Sequence, residues 1–286
     1  MACSNSSFNG TVRENYSWTN WLGNVSYTVP RFYQPSNLRD IVWVIEQSGA
    51  RRIKAVGRGW SFEDISESTD ALVDISNLNS RINTLVEPGP GYSALTEYWQ
   101  RELRNNRKHL VHIEAGIRLF DLNQLLEADG LAMPTLGGSQ GQTLAGAIST
   151  STHGGDIDHP PFPDLIRAIH LVTTNGQEYW IESDDQPLTD NDAEVLAYSS
   201  PTPCPDMRII RDDNLFRAVQ VSLGRFGIIY SFVLEVTDSF QLAEWTIHRS
   251  WTEIRGELIS GVGRDQYAPS RSHFGGLTAL PAPPAD

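Results

Sequence analysis

The chain has 286 residues, 40% of them hydrophobic and 20% charged, with a formal net charge of −13 at pH 7. That is the composition of a soluble globular protein of one large or two medium domains. The negative balance argues against a nucleic-acid partner and against docking on anionic lipid, since both require a basic face. No run approaches the ~20 apolar residues of a membrane span. The opening MACSNSSFNG lacks the basic-then-apolar pattern of a signal peptide, so the expectation is a cytoplasmic protein without a membrane partner. Asn5, Asn9, Asn15 and Asn24 stand in N-x-S/T sequons, read in the absence of a secretory signal as part of a polar tail. Cys3 lies in that tail and Cys204 in a loop flanked by Pro203 and Pro205; a disulfide between them is not favoured, and two such isolated thiols assemble no zinc site.

Residues 1–24 read as a poorly ordered tail ending at Trp18 and Trp21. Alternation over Val25 to Phe32 predicts a strand. Pro35-Ser36-Asn37 then starts a helix in which Leu38, Ile41, Val42 and Ile45 recur at helical spacing until Gly49. Arg52 to Val56 and Ala71 to Ile75 read as strands, so the opening is a β-α-β unit sized for one mixed sheet layer. Between Asn83 and Arg107 the only clear signal is the turn Pro88-Gly89-Pro90-Gly91.

Leu110 to Ala115 reads as a strand. Leu119 to Ala128 reads as a helix with Leu122, Leu125 and Leu126 on its buried side and Gly130 as C-cap. Further strands are expected over Ile166 to Thr173, Gln177 to Glu182 and Gly227 to Thr237, and a helix spaced by Leu215, Val219 and Leu223. The acidic run Glu182 to Glu194, with Pro187 and Asn191, reads as a solvated loop. His109 and His112, three apart on a strand, point to opposite faces and share no metal. His170 reads as a satisfied core or edge residue, and no metal site is expected.

The stretch Leu136 to Gly155, LGGSQGQTLAGAISTSTHGG, holds six glycines and no Asp, Glu, Lys or Arg. Its apolar centre, Leu144 to Ile148, separates it from a flexible linker. Glycines let backbone approach a bulky ligand, successive N–H groups form concave anion sites, and Ser149 to Thr152 add neutral donors. A second glycine loop, Gly57-Arg58-Gly59-Trp60-Ser61-Phe62, follows the strand ending at Val56. Two facing glycine loops suit a dinucleotide, which has two phosphates and two ring systems. Neither loop fits G-x-G-x-x-G opening a helix or G-x-x-x-x-G-K-[ST], so no Rossmann unit or P-loop is supported. A third piece, Leu223-Gly224-Arg225-Phe226-Gly227-Ile228-Ile229, runs two glycines into a strand.

Together the segments Gly57 to Phe62, Gly141 to Ala147 with Thr152-His153-Gly154, and Leu223 to Ile229 resemble FAD-binding oxidoreductases of the vanillyl-alcohol-oxidase (PCMH) type. Within that group the likeness is greatest to sugar-1,4-lactone oxidases and alditol oxidases. It covers about residues 25 to 240. The resemblance implies an α+β, two-subdomain FAD-binding domain over 25–239, after the tail. Residues 240–286 would then begin a substrate (cap) domain, strand-like over Leu242 to Trp251 and helix-compatible over Thr252 to Ile259, with a disordered Pro/Ala-rich end at 277–286. It implies FAD contacts from Gly57, Arg58, Gly59, Trp60, Ser61 and Phe62 in the first loop. In the second they come from Gly137, Gly138, Gly141, Gln142, Thr143, Gly146, Ala147, Thr150, Ser151, Thr152 and His153, and at the third strand from Gly227, Ile228 and Ile229. Backbone amides and hydroxyls of the first two loops would hold the diphosphate.

Many members of the group carry, where this chain has Trp60, a histidine bonded covalently to the flavin. Trp offers no comparable nucleophilic nitrogen, so non-covalent FAD is expected. The implied activity is hydride transfer from a CH–OH group of a sugar, polyol or aldonolactone to flavin N5, with oxygen or another electron acceptor. The alternatives are an FAD-binding module that needs further chain or a partner for turnover, and a flavin-free scaffold. No catalytic residue is identifiable; Arg271 and His273 read as surface positions.

Overall fold

The computed structural model describes residues 3, 7–50, 52–105, 108–155, 159–241 and 248–260. Its first layer grows from the alternation after Val25. Strand β1 (Thr11–Thr19) pairs antiparallel with β2 (Ser26–Gln34), setting Arg13 against Phe32 and Trp18 against Tyr27. The chain enters α1 (Leu38–Gln47) through Asn37, whose side chain accepts from the Asp40 N–H at 3.0 Å and so satisfies one donor of the open first turn. β3 (Ile53–Val56) and β4 (Ala71–Asp74) run parallel to one another and, through β4, to β2, giving the order β1-β2-β4-β3.

Residues 11–19 therefore form an edge strand where a poorly ordered tail was expected. Their pattern is mostly polar, and what holds them is aromatic contact. Tyr16 stacks on Phe32 with ring centroids 4.1 Å apart, and Trp18 tilts over Tyr27 at 5.2 Å. Pairing with β2 orders those rings in a way that a reading of the segment alone does not reveal.

The second layer begins with α2 (Glu97–Arg104), in the stretch that carried no periodic signal, and β5 (His109–Glu114). Helix α3 (Leu119–Ala128) buries Leu122 and Leu126 fully and Leu125 partly, and Gly130 (φ 71°) caps it by donating to the Glu127 carbonyl at 3.0 Å. There follow β6 (Leu131–Ala132), α4 (Leu144–Ser149), β7 (Ile166–Val172), β8 (Glu178–Glu182), α5 (Asp192–Tyr198), β9 (Arg208–Arg211), α6 (Asp213–Gln220) and β10 (Ile228–Asp238). The sheet order is β5-β10-β7-β8-β9, with β6 also on β10. Phe232 of β10 faces both Ile113 of β5 and Ile169 of β7. That central placement explains the almost unbroken apolar run of β10. The main core joins both layers, from Ile41 and Val73 to Ile113, Ile169 and Ile229. β10 ends at Asp238, beside the boundary expected at 239.

Four expectations change. Cys3 and Cys204 are joined by a disulfide, their Cα atoms 5.8 Å apart. Arg39 on α1 donates to the Cys3 carbonyl at 2.6 Å and pairs with buried Glu178 at 2.5 Å, so the residue 3 end is fixed against β8. Nothing in the local sequence connects residues 201 positions apart.

The acidic run is only partly solvated. Glu182 is fully buried, accepting from the Leu188 N–H (2.7 Å), the Thr189 N–H (2.9 Å) and the Thr189 hydroxyl (2.6 Å), and it pairs with Arg211 at 2.9 Å. Burial pushes its carboxyl above the ordinary value and these partners pull it back. Leu223 lies beyond α6, with φ 51°. Of the strand expected over 242–251, residues 242–247 lie outside the described residues, and Trp251 instead opens α7 (Trp251–Ser260), where a helix was expected from Thr252. Arg271, His273 and the Pro/Ala-rich end also lie outside.

The two layers meet where the loop after β3 touches the loop before α4. A Cβ on Gly57 would stand 2.0 Å from Thr143 Oγ1, and one on Gly141 would stand 2.0 Å from the Trp60 ring. Trp60 is stacked on its other side by Trp21, centroids 4.1 Å apart. Substituting Gly141→Ala should lower stability by about 1–3 kcal/mol through overpacking. Thermal unfolding of G141A, W60A and the double variant should show strong coupling, because shrinking Trp60 relieves the clash. Additive effects would refute the contact.

His112 on β5 is fully buried, its Nε2 3.0 Å from Ser231 Oγ. Burial, with the neighbouring His170 charge, holds its pKa down from 6.5 to about 3. The imidazole is neutral when folded and protonates below 6.5 when unfolded. Its contribution is therefore complete above pH 6.5 and is lost as pH falls from 6.5 toward 3. Glu114 and Glu182, pushed upward by burial, act with the opposite sign. The measurement is thus differential: His112→Gln should flatten the decline of melting temperature across that window, and an unchanged slope would count against it.

Candidate functional site

A cavity of about 350 Å³ opens between the end of β3, the first turn of α4 and the entry to β10. This lies within the ~300–1,000 Å³ usual for ligand sites. The first loop contributes Gly57 to Ser61, though Phe62, half exposed, does not line the cavity. Gly59 sits at φ 65° against the Trp18 ring, a conformation that favours glycine. From the second loop come Gln142, Thr143, Gly146, Thr150 and Thr152. Gly146 and Ser149 share one face of α4 at i and i+3, and Thr150, its C-cap, donates its hydroxyl to the Gly146 carbonyl at 2.9 Å. From the third come Gly227 and Ile229. Gly227 (φ 152°) leaves no room for a Cβ, which would meet the Val172 carbonyl oxygen at 2.3 Å.

Of the other sequence candidates, Gly137, Gly138, Gly141, Ala147, Ser151 and His153 do not line this cavity, and Ile228 lines a neighbouring recess. Gly141 acts as the seat for Trp60. His153 is exposed, its Nδ1 2.7 Å from the Gly154 carbonyl oxygen. The expected role of the cradle amides also changes. Leu144 N–H donates to the Ile117 carbonyl at 2.8 Å, Ala145 N–H to the Ala115 carbonyl at 2.9 Å, and Gly146 N–H to Thr143 Oγ1 at 3.2 Å. The first two donors fix α4 to the β5–α3 connection, and the third closes the N-cap of α4. Side chains supply the polarity that α4 presents to the cavity.

The structure adds Lys54, which the pattern of a short strand gave no reason to single out. Its Nζ donates to the Leu223 carbonyl at 3.3 Å, tying β3 to the loop before β10. Partial burial lowers its pKa, and the charge of Arg225 lowers it further. Lys54, Ala55, Gly224 and Gly227 form the shared wall to the neighbouring recess, which is about 820 Å³ and also carries Arg52 and Arg225. In a chain with 35 acidic and 22 basic residues, the first cavity is lined by Lys54 and Arg58 and, among the described residues, by no carboxylate.

These residues fit an elongated dinucleotide. Cations and hydroxyls match a diphosphate, and Trp18, Val56, Ile75 and Ile229 give an apolar wall for a ring system. Gln142 Oε1 is buried and has no hydrogen-bond partner among the described residues. No imidazole lines the cavity among the described residues, and no metal-holding cluster occurs among them.

A model of the FAD-binding domain family matches residues 30–182. D-arabinono-1,4-lactone oxidase of Kluyveromyces lactis is 25% identical over 238 residues, covering 82% of this chain and 37% of that protein. L-gulonolactone oxidase of Scyliorhinus torazame is 24% identical over 254 residues, covering 88% of this chain and 47% of the relative. The chain thus spans less than half the length of these relatives. A solved cholesterol oxidase from Brevibacterium sterolicum shares the fold with TM-score 0.53 at 14% identity, covering 84% of this chain and 40% of that one. With a family match over half its length and the α+β architecture that accompanies it, the chain belongs to the FAD-binding domain family.

Proposed function

We propose that this chain is the cofactor-holding part of an FAD-dependent oxidoreductase. The donor would be a CH–OH group of a sugar, polyol or aldonolactone, and the acceptor molecular oxygen. The observation that carries the reading is the cavity at the meeting of the two layers, lined by Lys54 and Arg58 and, among the described residues, by no carboxylate, in a chain of the FAD-binding family. The similarity to lactone oxidases supports the substrate class. FAD, when bound, accepts hydride at N5 from the carbinol carbon.

In this reading Lys54 and Arg58 offset the diphosphate charge, and Ser149 donates a hydroxyl hydrogen bond, whereas the Thr150 hydroxyl already donates to the Gly146 carbonyl at 2.9 Å. Trp60, held between Trp21 and Gly141, forms a fixed wall. Trp60 and the outward-lying His153 both support non-covalent attachment. A second reading, a module whose turnover needs further chain or a partner, is favoured by one feature. No group able to take the hydroxyl proton, neither carboxylate nor imidazole, lines the cavity among the described residues.

The absorbance spectrum before and after acid precipitation tests attachment. Flavin bands should pass wholly to the supernatant, and yellow colour in the pellet would overturn the non-covalent assignment. Lys54→Ala should weaken FAD binding by roughly 10- to 100-fold, the loss of about 1.5–3 kcal/mol expected for a charge-assisted contact, with reduced salt dependence. Unchanged affinity would remove Lys54 from the site. Anaerobic bleaching of bound flavin by an aldonolactone separates the two functional readings: bleaching by this chain alone supports the oxidoreductase, and its absence in an FAD-loaded sample supports the module.

A further inference from the structure

All four sequons of this chain fall in its first 26 residues. Of its fifteen asparagines, five lie between positions 5 and 24, and four of those are followed two residues later by Ser or Thr; none of the other ten is. The structure sorts them. Asn9 is exposed, and its backbone N–H donates to Asp40 Oδ1 at 3.0 Å. Asn15 is exposed on β1, the edge strand of the first sheet, and Tyr16 and Trp18 turn their rings to the aromatic contacts with β2. Asn24 is committed elsewhere: its Oδ1 accepts from Asn20 Nδ2 at 2.8 Å and its Nδ2 donates to the Phe62 carbonyl at 2.8 Å, bracing the loop beside the cavity. Asn5 lies outside the described residues.

The left-handed backbone at Asn15 (φ 49°) explains an asparagine there, since Asn tolerates that region. It does not require a serine at 17, whose hydroxyl lies 3.4 Å from Thr28 Oγ1 on β2, nor Thr11 two residues after Asn9. Both hydroxyl residues are exposed as well. A second observation is independent of the sequons: Cys3, in the same segment, is bridged to Cys204. Disulfides persist in oxidising compartments, and asparagine glycosylation takes place in one of these, the secretory lumen.

We infer that Asn9 and Asn15 carry N-linked glycans and that the protein matures in an oxidising secretory compartment. This replaces the cytoplasmic expectation and is independent of the cofactor reading. At each site the asparagine amide nitrogen attacks the anomeric carbon of a lipid-diphosphate-linked oligosaccharide. The N–C bond forms, the C–O bond to the diphosphate breaks, the lipid diphosphate leaves with the electron pair, and the amide proton goes to a base of the transferase. Closing the Cys3–Cys204 bridge removes two electrons and two protons, which reduce the disulfide of a thiol oxidoreductase to its dithiol. A glycan at Asn15 would also shield the edge of β1, whose partner in the sheet is β2, from strand addition by another chain.

The test uses protein isolated from its own cells, digested without reduction and read by mass spectrometry before and after peptide-N-glycosidase F. Peptides containing Asn9 and Asn15 should carry hexose and N-acetylhexosamine and return as the Asp forms after the glycosidase, with the Cys3 and Cys204 peptides still linked. Unmodified Asn9 and Asn15 would overturn the proposal. Asn15→Gln, expressed in the same cells, should remove one glycosidase-sensitive step from the electrophoretic ladder. An unchanged ladder would overturn the assignment to that site.

Discussion

The fold and its cavity depend on one close fit, the glycine-for-side-chain contacts where the two layers meet. Gly57 admits Thr143 and Gly141 admits the Trp60 ring, each at a distance no Cβ tolerates. Thr143 is also the N-cap of α4, so the same side chain sets the layer spacing and the helix start. Because Leu144 and Ala145 give their N–H groups to residues 117 and 115, α4 is anchored to the second sheet. The cavity is what remains between surfaces fixed by packing.

That arrangement concentrates scarce positive charge. Lys54 reaches across from the first layer to the Leu223 carbonyl, and Arg225 follows in the same loop. Two like charges held together in a chain of net charge −13 cost free energy that an anionic ligand offsets. Among the described residues no carboxylate lines the cavity wall, so an anion proposed to bind there would meet less repulsion than elsewhere on the protein.

Several buried polar groups lie away from the cavity and have structural partners. Arg39, Glu178 and His170 form a chain of contacts beneath the Cys3 carbonyl, and Glu182 gathers donors from Leu188, Thr189 and Arg211. Such groups are costly to bury and costlier to leave unpaired. They therefore tie the residue 3 end and the 183–189 turn to the second sheet more specifically than apolar contact does.

Local pattern determined much of this protein. Asn37 before Leu38, Ile41 and Val42 marked α1, Gly130 marked the end of α3, and the apolar run after Gly227 marked β10, because each signal lies within a turn or a strand of the residues it governs. The glycine-rich segments gather at the candidate cavity, while which of their residues line it was set by contacts between segments. Tertiary structure alone decided the rest. It made Gly141 a seat for Trp60, committed the α4 amides to residues 115–117, brought Lys54 to the cavity wall, and buried Glu182 inside an acidic run. It also joined Cys3 to Cys204 and ordered β1 against Phe32 and Tyr27. Each of those facts is a contact between segments distant in the chain, and a side chain's role in such a contact is set by the partner that folding brings to it.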